Sequence, residues 1–211
     1  MTLLDASRNA TGDRGQAIAK ETFQLADEIA IQYEEKTACK KTCAMCCRDL
    51  VISNHSEAQL IADFLVKTQS PQMLDGLETV LGRIKKFLAG VVAAKEDLNR
   101  AWGVSGRICP FLTFKRECMI YHVRPMSCRR IHSLDADICT QVSYARMQGQ
   151  EPPHTPIIGE MLDDFYDLED AQKVIREEDI SHREQKPDNG DRLFFLMIWA
   201  ELRHARKRAK R

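Results

Sequence analysis

The chain is poor in the features that most quickly name a function. It has no apolar run of the roughly 18 residues that a membrane-spanning helix needs, and Leu193–Ala200, the strongest run, reads as a buried helix face. The first residues, Met1-Thr-Leu-Leu-Asp-Ala-Ser-Arg8, carry no apolar core of a secretory signal. Net charge is zero, 31 basic against 31 acidic residues, so overall charge points to neither nucleic acid nor membrane. Aromatics are only 7%. No glycine-rich phosphate loop, no serine–histidine–aspartate pattern and no internal repeat stands out. On these absences a cytoplasmic location is expected, and 44% hydrophobic residues in 211 allow an ordinary core.

Cysteine is what the chain has in excess. Four of eight fall in Cys39-Lys-Lys-Thr-Cys43-Ala-Met-Cys46-Cys47, and Cys109, Cys118, Cys128 and Cys139 follow after about sixty residues. Core packing does not call for such density. A cytoplasmic compartment and the adjacent pair Cys46-Cys47 argue against disulfides. Thiolates are soft, strong ligands, and gaps of two or three residues let a turn bring successive sulfurs onto one ion. All eight are therefore candidate ligands of zinc or an iron–sulfur cluster. Adjacent residues point differently, so Cys46 and Cys47 are expected not to share one tetrahedral site. The count allows two four-cysteine centres or one centre with thiols left over. Arg124 and Arg129 lie close to sulfurs in sequence and would offset thiolate charge as outer partners. Tyr121 is expected to pack beside them with its hydroxyl hydrogen-bonded. His55, His122 and His132 are the nearest histidines, and eight sulfurs leave no need for them. Asp135 and Asp137 read as turn residues.

The rest of the chain reads mainly as helix. Residues 14–36 show helical spacing through Ile18, Phe23, Leu25, Ala26, Ile29, Ala30 and Tyr33. Asn54-x-x-Glu57 has the form of a capping box, and Ser70-Pro71 opens a helix with Leu74, Leu77, Leu81, Ile84, Leu88 and Val91 as its seam. Gly82 and Gly90 are expected to bend or break it. Trp102–Gly106 reads as a loop, and 107–121 as a β-hairpin presenting Cys109 and Cys118. Arg124–Arg130 is a turn into a short helix. Glu151-Pro-Pro-His-Thr-Pro156 reads as a rigid linker, 157–180 as an acidic helix, 186–190 as a turn, and the end, from about Arg192, as a helix with a basic tail. The fold class is thus mainly α with a small irregular or hairpin cysteine-rich core. A cysteine-cluster domain over 1–150, with a helical insertion at about 54–101, would carry a helical extension over 151–211 packed on it.

Cys46-Cys47, Cys109-Pro-Phe-Leu, Cys118-Met-Ile-Tyr121 and Arg124-Pro125-x-x-Cys128-Arg129 together resemble the zinc- or iron-chelating cysteine-cluster domain family (YkgJ-like, CxxCxxCC). The likeness covers about 39–139. It implies metal or iron–sulfur binding. A flagellin-lysine methylase group is similar over the same cysteines, which implies that some relatives are enzymes. The first gap, Cys39 to Cys43, is three residues where the family commonly has two. Cys39-x3-Cys43-x2-Cys46 also matches the cluster motif of radical S-adenosylmethionine enzymes, but Met45 replaces their usual aromatic and no βα alternation is visible.

Three functions stay open on these residues. One is a metal-binding module with a structural, redox or docking role towards an unidentified protein partner or substrate. The second is an iron–sulfur enzyme, an oxidoreductase or lysine N-methylase-like. The third, the least favoured, is a nucleic-acid accessory protein acting through the basic tail over 203–211. A membrane partner is not expected.

Overall fold

A computed structural model describes residues 14–40, 42–129, 131–154 and 194–210. The acidic helix over 157–180, the turn at 186–190, the end of the linker and the start of the last helix lie outside the described residues. Among those described there are seven α-helices, two short 3-10 turns and almost no strand. None of the helices is long and apolar enough to cross a membrane.

Helix α1, Arg14–Gln32, buries Ile18, Ala19, Phe23 and Ala26. Its buried Thr22 hydroxyl donates to Ile18 O at 2.8 Å, so no polar group is left bare on that face. Helix α2, His55–Thr68, starts at the expected capping box: Asn54 Oδ1 accepts from Glu57 N, and Glu57 accepts from Asn54 N. Helix α3, Pro71–Ala93, is capped by Ser70 and buries all six residues of its leucine-rich seam. It runs unbroken through Gly82 and Gly90. The core contacts of Leu81, Ile84, Leu88 and Val91 outweigh two glycine penalties of about 1 kcal/mol each, since a buried leucine contributes about 1.5–3 kcal/mol.

Helix α4, Leu98–Val104, replaces the loop expected around Trp102. Asp97 caps it, accepting the Arg100 N–H at 2.6 Å, and Trp102 is buried, stacked on Phe195 at 5.1 Å. Burial of the indole stabilises a turn that the two glycines alone disfavour. Helix α5, Met126–Arg129, and helix α6, Ala136–Met147, follow the cysteine-rich loops. Helix α7, Phe194–Ala209, packs on α2 and α3 through Phe195, Ile198, Leu202 and Ala205.

The expected hairpin does not form. Its backbone pairs only at one antiparallel bridge, Leu112 with Cys118, flanked by Thr113 N–H to Glu117 O and Met119 N–H to Phe111 O. Pro110 has no N–H to give a ladder. The N–H groups of Leu112 and Tyr121 are spent on local turns, to Cys109 O and Cys118 O. Phe111 and Ile120, fully buried, pin this loop to the core that also holds Val51, Ile61, Leu81, Trp102 and Ile198. The cysteine loops therefore stand on the same core as the helical segment and the last helix.

Candidate metal centre

Local turns set the first cysteines. Ala38 N–H donates to Ser133 O at 2.8 Å, and Ser133 N–H donates to Cys39 Sγ at 3.3 Å, so segment 131–133 cradles Cys39. Cys43 N–H closes a turn onto Lys40 O at 2.9 Å. Thr42 occupies the third position of that turn at φ 75, a left-handed conformation that a β-branched side chain adopts only under strain. The chain then winds into a 3-10 turn, Cys46–Arg48.

That turn meets the second cysteine group directly. Cys109 N–H donates to Cys47 O at 2.7 Å. Cys109, Cys118 and Cys128 are partly buried against the main core. Their thiols and that of Cys46 stand close enough to raise one another's pKa. Cys46 and Cys47, consecutive in the 3-10 turn, lie near enough for the Cys47 thiol to raise the Cys46 pKa. Cys39 has Cys43, Cys46 and Cys139, on α6, as its thiol neighbours. Two neighbourhoods therefore meet at Cys46. All eight cysteines are free thiols.

Their acidity follows from the setting. The neighbouring Cys47 thiol, then burial, pushes the Cys46 thiol well up. Burial pushes up Cys39, Cys109, Cys118 and Cys128. Buried thiols resist ionisation because an unpaired anion in low dielectric is costly. A bound cation reverses that balance by replacing the protons.

Arg124 is the charge placed to help. Its guanidinium lies 4.1 Å over the Tyr121 ring and pulls down on Cys46, Cys118 and Cys128. Its Nε is buried with no hydrogen-bond partner among the described residues. Such an orphaned donor beside sulfurs fits a centre whose thiolates would accept from it. Tyr121, 50% exposed, supports that guanidinium with its ring.

Arg129 does different work. At 1% exposure it is nearly sealed. Its nitrogens donate to Arg124 O at 2.9 Å, Phe23 O at 3.3 Å and His122 O at 2.8 Å, and pair with Asp27. It also lies 4.4 Å over the Phe23 ring. It thus ties α1, which leads into Cys39, to α5, which carries Cys128. Its charge still favours the Cys118 thiolate, but from a guanidinium occupied with positioning.

Among the histidines, His55 bonds Gln59 and faces Glu201 at 3.5 Å, and His122 is exposed, edge-on to Tyr121. Burial lowers the His132 pKa. Asp135 caps α6, accepting from Asp137 N and Ile138 N. Among the described residues no three His, Cys, Asp or Glu side chains already stand in a geometry that would hold a metal ion. The thiols lie in two neighbourhoods without closing around one point.

Sequence reasoning missed two parts of this scaffold. One is Ser133, whose N–H meets Cys39. The other is Glu57, which accepts the Met126 N–H at 3.0 Å and so holds the start of α5. The capping-box pattern signals Glu57 as a cap of α2, but not its second partner.

A cleft of about 610 Å³ lies beside the centre, between segment 48–52, α4 and residues 146–152. None of the cysteines lines it.

No curated protein and no solved structure matches the chain. A family model does, over residues 38–145, just over half of the chain and all eight cysteines. By that match the chain belongs to the CxxCxxCC family, described as a putative zinc- or iron-chelating domain.

Proposed function

We propose that the protein binds zinc or an iron–sulfur cluster mainly through Cys46, Cys47, Cys109, Cys118 and Cys128, with Cys39, Cys43 and Cys139 forming a second group that shares Cys46. The observation that carries this reading is the junction of the two cysteine segments, Cys109 N–H on Cys47 O at 2.7 Å, with raised thiols on both sides. Five sulfurs on three segments, a 3-10 turn, the 107–121 loop and α5, exceed what packing needs. They supply the soft donor set that zinc or iron takes, given side-chain rotations that bring four onto one ion. The bound group would supply the positive charge that lets the buried thiols ionise. The chain's part is to gather the sulfurs, through Arg129 and Glu57, and to offset their charge, through Arg124.

Anaerobic purification with metal analysis and an absorbance spectrum tests this. Stoichiometric zinc in a colourless protein gives one form, and iron with acid-labile sulfide and broad brown absorbance gives the other. Protein with neither, which takes up neither when reconstituted, overturns the reading. Arg124 beside the sulfurs tilts the choice towards a negatively charged iron–sulfur cluster.

A second reading, an enzyme, draws support from the cleft, because catalysis needs room for a substrate. The tail gives the nucleic-acid reading little support. Arg203 and Arg206 pair with Glu78, and Arg208 with Asp63, so these cations already have partners on α2 and α3.

A further inference from the structure

The cleft beside the cysteine centre has a distinctive charge arrangement. Its exposed apolar lining is Ile52 and Ile131, with Val51 and Trp102 buried beneath. Three guanidinium groups line it, from Arg48, Arg100 and Arg146. Arg146 is neutralised by Asp49. Arg48 has only a 3.7 Å contact to the Met147 sulfur. Arg100 makes no ion pair among the described residues, and its Nε and Nη2 lie 3.7 Å from where a Cβ on Gly149 would stand. The Arg100 guanidinium thus lies over Gly149 on the cleft wall, while that of Arg48 reaches Met147, which does not line the cleft. Of the acids present, Asp49 is taken by Arg146, and Asp97 Oδ1 is engaged by the Arg100 backbone N–H at 2.6 Å. Glu151 stands exposed at the rim.

We propose that this cleft binds a small organic anion, a carboxylate or phosphate carried on an apolar body, with Arg100 taking the anionic group and the exposed Ile52 and Ile131 the body. The volume is that of small-molecule sites. An unpaired guanidinium beside apolar side chains favours planar, charge-assisted recognition of oxyanions. The Trp102 Nε1–H is spent on Arg48 O at 2.9 Å, which holds the buried indole beneath the cleft, close enough to report on an occupant without touching it. The site stands apart from the metal reading, since no cysteine lines it.

Benzoate, benzamide and inorganic phosphate are the probes, titrated into the full-length chain by calorimetry and, in a W199F background that leaves Trp102 as the sole tryptophan, by fluorescence. Benzoate is expected to perturb Trp102 and to bind at least tenfold more tightly than benzamide. Arg100→Gln is expected to weaken it at least tenfold with metal content unchanged. Phosphate that displaces benzoate identifies the oxyanion itself as the feature recognised. Benzoate binding that phosphate leaves intact identifies a carboxylate on its apolar body. Equal binding of benzamide, indifference to R100Q, or no response to millimolar benzoate overturns the proposal. Metal content, measured on the same samples, keeps this outcome separate from the fate of the metal centre.

Discussion

The carboxylate of Glu57 accepts the backbone N–H of Met126 at 3.0 Å across 69 positions of sequence. The same side chain accepts Asn54 N–H at 3.1 Å and the Ser53 hydroxyl at 2.8 Å. One buried acid thereby caps both α2 and α5, and α5 carries Cys128. Replacing it with alanine strands those donors. Glu57→Ala is expected to destabilise by about 1–3 kcal/mol, read by urea unfolding, and to lower metal occupancy. Unchanged unfolding would mean that α5 is held elsewhere.

Burial raises the Glu57 pKa above the ordinary carboxyl range. The folded chain then holds a proton that the unfolded chain has lost, over the window from the unfolded value up to the folded one. Its contribution to stability is full below that window and is lost as pH climbs through it. The melting temperature difference between wild type and Glu57→Gln, followed from pH 4 upward, should therefore change in that direction and then level off. A difference independent of pH would show that the carboxyl does not titrate on folding.

Arg129 and Asp27 form a pair in which only the arginine is sealed. Asp27 has a side chain 47% exposed and Arg129 one at 1%. Asp27→Asn should cost under about 1 kcal/mol, as half-exposed ion pairs do. Arg129→Ala should cost about 3 kcal/mol or more, because it also frees the carbonyls of Phe23, His122 and Arg124 and opens a void against the Phe23 ring. Equal losses would place the energy in the ion pair alone.

The thiol neighbourhoods make the cysteines unequal. Cys128→Ser and Cys109→Ser should abolish binding at the principal group, Cys43→Ser should spare it, and Cys46→Ser should impair both. Because these buried thiols must each lose a proton to bind, apparent zinc affinity should rise with pH, by about tenfold per pH unit for each proton released. Competition titrations at three pH values measure the slope. A flat profile would exclude thiol deprotonation on binding.

Gly82 and Gly90 sit inside an unbroken helix. A Cβ at Gly82 would meet Trp199 Nε1 at 3.5 Å, an ordinary contact, and one at Gly90 would meet nothing within 4 Å. Gly82→Ala and Gly90→Ala should each stabilise by about 0.5–1 kcal/mol. Loss of stability would mean that the helix needs the flexibility.

Much of the scaffold was legible because it rests on local rules. The Asn54–Glu57 box, the Ser70-Pro71 start and the seam from Leu74 to Val91 each follow from spacing alone. Trp102 was misread because Gly103 and Gly106 mark a loop, while burial of the indole against Phe195 is a long-range fact that overrides them. The 107–121 loop has strand-like residues, yet the competing turns at Cys109–Leu112 and Cys118–Tyr121 are visible only in three dimensions. At the site, the identity of the cysteines was plain. Their sorting was not, because it depends on which loop lies beside which. Arg124 and Arg129 looked alike in sequence, and only burial separates the one that faces the sulfurs from the one that ties helices together.

The bond from Cys109 to Cys47 also has a timetable. Ribosomes add roughly 5–20 residues per second, so the leading quartet of thiols emerges several seconds before the residues that complete its surroundings. During that interval Cys39, Cys43, Cys46 and Cys47 lack the Cys109 and Cys128 segments that surround them in the fold. If the principal group forms as proposed, it is complete only once Cys128 has emerged, so its ion would enter late in synthesis.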